Sequence, residues 1–101
     1  MQVNYVGDGI KGLLMEGGTT RRKAVEALCK SVGGRLETFY CAFGDADAYL
    51  IVEMPDHTAT AALALAVTAT GRVTLKTTGL LTPEDVDAAA TKTPSYRPPG
   101  A

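Results

Sequence analysis

Two aspartates, Asp45 and Asp47, stand two residues apart in Gly44-Asp45-Ala46-Asp47. In a tight turn both carboxylates could face one rim and orient a ligand or a cation. The pattern opens like a calcium loop, yet Tyr49 occupies the next ligand position and no glycine and glutamate follow at loop spacing. Turn formation is the favoured reading, with Asp47 bonding its own backbone, and no metal site is expected. Gly12-Leu13-Leu14-Met15-Glu16-Gly17-Gly18-Thr19 comes near the spacing of a phosphate loop. Gly18, however, stands where a lysine must reach the phosphates, and the context is helical, so a triphosphate site is rejected. Just beyond, Arg21, Arg22 and Lys23 crowd a helix start, where cations oppose the dipole and a bound anion would reverse the sign. A solvated basic rim or an inter-subunit ion pair explains them as well.

His57 is the only histidine and falls in the first turn of a helix, where its charged form gains nothing from the dipole. No triad or metal set surrounds it in sequence, so a surface residue is favoured; as a base it would need Tyr5, Tyr40 or Glu53 brought to it by the fold. Tyr5, Tyr40 and Tyr49 each sit on a strand and could line a cleft between sheet and helices, offering phenol donors to a small ligand; packing is the default alternative. Glu37, Glu53 and Lys76 are expected on an uncovered sheet face, as ion pairs between subunits or as a buried base.

The elements that must position these groups follow from periodicity. Residues 2–6 alternate as a short strand, and Ile10, Leu13 and Leu14 mark a brief amphipathic helix that Asp8 could cap and Gly17-Gly18 breaks. A second helix from about Thr20 turns Val25, Leu28, Cys29 and Val32 inward and ends at Gly33-Gly34. Strands over 36–43 and 48–54 form a hairpin; the first carries Leu36 and Tyr40 on one side and Phe39, Cys41 and Phe43 on the other. Asp56 caps a helix to about Thr70 with Ala59, Leu63, Ala66 and Val67 on one face, and a fourth strand spans 72–81. Thr82-Pro83-Glu84-Asp85 starts a short terminal helix to about Lys92, leaving 93–101 as an extended, proline-rich tail. The order predicts an α+β domain over 1–92: a ferredoxin-like β-α-β-β-α-β antiparallel sheet with the main helices on one face. The bare face then exposes large apolar groups such as Phe39 and Phe43, or Tyr40 and Leu50, and a second copy should cover it.

At 101 residues, with 46% hydrophobic and 21% charged residues, the chain has the composition of one globular domain. Ten basic residues against eleven acidic ones give no positive field for nucleic acid. The apolar run 61–67 is far below the roughly 20 residues of a membrane span, and no leader pattern opens the chain; a cytoplasmic protein is expected. Cys29 and Cys41 have no partner spacing for a disulfide framework or zinc and read as small core residues.

Phe39-Tyr40-Cys41-Ala42-Phe43-Gly44-Asp45-Ala46-Asp47, followed by Val52-Glu53-Met54-Pro55-Asp56, resembles the signature of the GYD-domain family. Lys11-Gly12-Leu13-Leu14, Arg21-Arg22, Gly33-Gly34-Arg35-Leu36-Glu37, Lys76-Thr77-Thr78, Leu81-Thr82-Pro83-Glu84 and Tyr96-Arg97-Pro98-Pro99-Gly100 extend the likeness over nearly the whole chain. The resemblance implies a ferredoxin-like domain of the dimeric α/β-barrel type, in a family of small bacterial proteins without an assigned activity. Two departures stand out: Ala46 sits where an aromatic is common, and strand one begins late.

The first expectation for function is a homo-oligomeric module that binds a small-molecule or anionic ligand between helices and sheet, possessing no tightly held cofactor. The candidate ligand residues are Tyr5, Tyr40, Asp47, Tyr49, His57, Arg21 and Arg22. Second stands a cofactor-independent monooxygenase, isomerase or decarboxylase for a small cyclic substrate, on fold analogy. Third is a structural interaction protein working through its oligomer or its tail.

Overall fold

The computed structural model describes all 101 residues. Strand β1 (Gln2–Tyr5) leads into helix α1 (Gly9–Ser31), then β2 (Arg35–Cys41), β3 (Ala48–Glu53), α2 (His57–Thr68), β4 (Val73–Lys76) and α3 (Pro83–Ala90). The four strands form one antiparallel sheet in the order β2-β3-β1-β4, the ferredoxin-like arrangement expected of two interlocked crossovers. The fourth strand is shorter than the expected 72–81: it leaves the sheet after Lys76, which pairs with Gln2, the first residue of β1.

The two helical pieces expected before Gly33 are joined as α1. Gly17 interrupts it with φ 80° and ψ 167°, a conformation that only glycine adopts cheaply, so the break falls where the glycine pair placed it. Asp8 does not cap α1 with its side chain; it lies 3.9 Å from Lys11 instead. Leu14, expected to face inward, is 80% exposed. The other starts are chemically complete. Asp56 accepts the Ala59 N–H at 2.7 Å, and Thr82 and Asp85 form a reciprocal capping box behind Pro83.

A bulge governs the hairpin. Leu36 pairs with Val52 and Thr38 with Ile51, leaving Glu37 as the extra residue. The side of β2 that faces the helices therefore carries both Leu36 and Phe39, where strict alternation had put them on opposite faces. The core is Val3, Ala48 and Leu50, flanked by Val25, Leu36, Phe39, Val52, Val73 and Leu75. In α2 Leu63 is buried, which stabilises the fold by about 1.5–3 kcal/mol, whereas Ala66, expected beside it, is exposed.

The outer sheet face carries Tyr40, Tyr49 and Ile51, which are 70%, 44% and 42% exposed. Leu50, named in sequence for this face, is in the core instead, and Phe43 lies beyond the end of β2, fully exposed. No helix is long and apolar enough to cross a membrane.

Candidate functional site

Helix α1 packs on β2 and α2 packs on β4, each over one edge of the sheet. Between the helices the central strands are left incompletely covered, and a cleft of about 300 Å³ opens there. Val3 and Leu50 form its floor, Val25, Leu28 and Cys29 its α1 wall, and Leu63 and Val67 its α2 wall; Val73 and Leu75 close the β4 side. Alanine-rich α2 presents only Leu63 and Val67 as large groups here, so the helix cannot fill the gap by itself.

The polar side chains of the cleft are Tyr5, Arg21, Thr70 and Arg72; Met1 also lines it, its ammonium donating to the Leu50 carbonyl at 2.7 Å. Tyr5, Arg21, Arg72 and Val73 also border an adjoining hollow that reaches Glu16 and Asp8, so these four residues lie where the apolar cleft gives way to a polar surface. Burial raises the Tyr5 phenol above its ordinary value; the Arg21 guanidinium opposes this, and Cys41, Glu16 and Asp47 push upward with it. The phenol thus stays protonated and can donate a hydrogen bond at neutral pH. Arg21 is already paired, its Nη1 lying 3.1 Å from a Glu16 carboxylate oxygen. Cys29, fully buried, has its thiol raised by desolvation, partly offset by a backbone hydrogen bond.

In the sequence pattern Arg72 marks only the start of a strand. Its backbone is fixed from both sides: the carbonyl accepts the Val6 N–H at 2.9 Å, and the amide donates to the Thr70 hydroxyl at 3.2 Å. Gly9 presses against the Arg72 carbonyl so closely that a Cβ would collide with it. No carboxylate lies within ion-pair distance of its guanidinium. Neither periodicity nor spacing marks such a residue, because its significance comes from the β1–α1 turn folding onto it.

The remaining sequence candidates are dispersed. Tyr40 and Tyr49 are direct cross-strand partners on the outer face and do not line the cleft, which corrects the expectation that three tyrosines share it. The cause is simple: Ala48 and Leu50 point to the core, so Tyr49 and its partner point away. Arg22 lies on the outside of α1, 3.8 Å from Glu26. Asp47 accepts the Tyr5 amide at 2.9 Å rather than bonding its own turn. Its amide donates to Val3 and its carbonyl accepts from Ala42, so it joins the hairpin neck to β1.

His57 opens α2 and borders a separate hollow with Glu37, Glu53 and the 77–82 segment; Tyr5 and Tyr40 do not reach it. Both glutamates there are engaged by Arg35, at 3.1 and 2.6 Å. That hollow is larger, about 830 Å³, but polar residues make up half of its lining and its two glutamates are already paired. An apolar cavity with a few convergent polar groups is the better ligand site. No three His, Cys, Asp or Glu side chains converge to hold a metal ion.

The family model described as GYD domain matches residues 1–90. No curated protein and no solved structure matches the chain.

Proposed function

The chain belongs to the GYD-domain family, and from that premise we propose that it is a small-molecule-binding module that works as a homo-oligomer, without a tightly held cofactor. The observation that carries the reading is the cleft itself. A domain of this size has little apolar area in reserve, and a 300 Å³ gap among Val25, Leu50 and Leu63 costs it packing that larger side chains on α2 would restore. A bound apolar group would supply those contacts.

Self-association is supported by the outer face. Tyr40, Tyr49 and Ile51 form an exposed apolar patch on two paired strands, and a second copy of the same face can cover it across a two-fold axis. The enzyme alternative finds less support. In the cleft Tyr5 and Cys29 are both shifted upward, away from neutrality, so neither serves as a base near pH 7; the Met1 amino group, lowered by burial, is bonded to the Leu50 carbonyl.

Native mass spectrometry of untagged protein from its own host tests the proposal. The expected spectrum is a multimer carrying a discrete extra mass, which Val67→Phe protein lacks because the phenyl ring occupies the cleft. A monomer or multimer with no adduct, identical for both proteins, contradicts the binding reading.

A further inference from the structure

The mouth of the cleft has an electrostatic imbalance. Arg21 is neutralised by Glu16 at 3.1 Å, and Asp8 stands beside Lys11 at 3.9 Å. Arg72 has no carboxylate within ion-pair distance, and its backbone is bonded to Val6 and Thr70. Arg72 is exposed at the rim of the apolar cavity, and a guanidinium is more weakly hydrated than an ammonium and presents donors that match a carboxylate two at a time. Behind it the walls are largely apolar, Val25, Leu63, Val67 and Leu75 among them, and the Met1 ammonium is engaged by the Leu50 carbonyl at 2.7 Å.

We propose that the ligand of this cleft is an amphipathic monoanion, a single carboxylate on an apolar body, with Arg72 holding the carboxylate and the body lying between Leu63 and Val25. The inference rests on the cleft being the binding site. The volume, at the lower end of the roughly 300–1,000 Å³ usual for ligand pockets, suits a medium-chain aliphatic or single-ring aromatic acid. Dianions are disfavoured, since their second charge would have to compete with Glu16 for Arg21. Amines are disfavoured by the same free cation. The Tyr5 hydroxyl, kept protonated, is a further donor at the same mouth.

The test uses the full chain with 13C-labelled valine and leucine methyls, titrated separately with octanoate, 1-octanol and octylamine. Octanoate should shift the Val25, Leu63 and Val67 methyls saturably and bind about tenfold or more tightly than the other two, the size expected for a hydrogen-bonded charge pair. Arg72→Gln should bring octanoate down to the affinity of octanol, whereas Arg22→Gln, the same charge change on the outside of α1, should leave the preference intact. Equal binding of octanoate and octanol by the unmodified protein overturns the anion proposal while leaving the cleft as an apolar site. Octanoate binding that Arg72→Gln does not weaken also overturns it. If none of the three probes moves those methyls, the binding reading fails, and the anion proposal fails with it.

Discussion

The carboxylate of Asp47 accepts the backbone N–H of Tyr5 at 2.9 Å, across 42 residues of sequence. Through this bond the hairpin neck fixes the last residue of β1, and with it the tyrosine at the mouth of the cleft. A part-buried amide bonded to a charged acceptor contributes about 1.5–3 kcal/mol. Asp47→Ala should cost that much in urea denaturation, and Asp47→Asn less, since it retains an acceptor without the charge. A neutral result for Asp47→Ala would remove the hairpin neck as the support of Tyr5.

Two glycines of α1 should respond in opposite directions to the same change. Gly9→Ala drives a methyl into the Arg72 carbonyl and should destabilise by about 1–3 kcal/mol, displacing Arg72 as it does so. Gly12→Ala meets nothing within 4 Å and should stabilise by about 0.5–1 kcal/mol through the helix backbone. Thermal melts of both variants check the pair.

Alkaline pH should weaken the fold through Cys29. In the unfolded chain its thiol ionises near 9.0, and burial raises it in the folded state, so the unfolded state releases the proton first. Stability is therefore intact below pH 9 and falls as the pH rises through the folded value. Tyr5 acts in the same direction above 10.0. Urea midpoints measured from pH 9 upward should show the decline, and Cys29→Ala should remove its first part.

Sequence periodicity made most of this architecture legible, and the exceptions share a cause. Gly17, Asp56 and Thr82 act within a turn of themselves, so their roles could be read from neighbours alone. Glu37 could not: a bulge is visible only when Leu36 and Thr38 are set against Val52 and Ile51, and without it Phe39 appears on the wrong face. For the same reason the tyrosines looked equivalent, though Tyr5 borders the cleft while Tyr40 and Tyr49 pair on the opposite face. Ala46 is 2% exposed, a confinement no local pattern announces. Arg72 was missed because its constraint comes from Val6 and Gly9, more than sixty residues away.

The outer face should hold copies together. Ile51→Lys places a charge in the centre of the Tyr40–Tyr49 patch and should convert the protein to monomers by light scattering at micromolar concentration. Unmodified protein that is already monomeric over that range would remove the case for self-association, leaving the cleft unaffected.

That the space between α1 and α2 is an apolar site can be checked in crystals of the protein pressurised with xenon, because xenon settles in dry apolar cavities. Xenon density bounded by Val25, Leu50 and Leu63 is the expected result. Helices closed onto the sheet with those side chains in mutual contact, and no xenon between them, would contradict it.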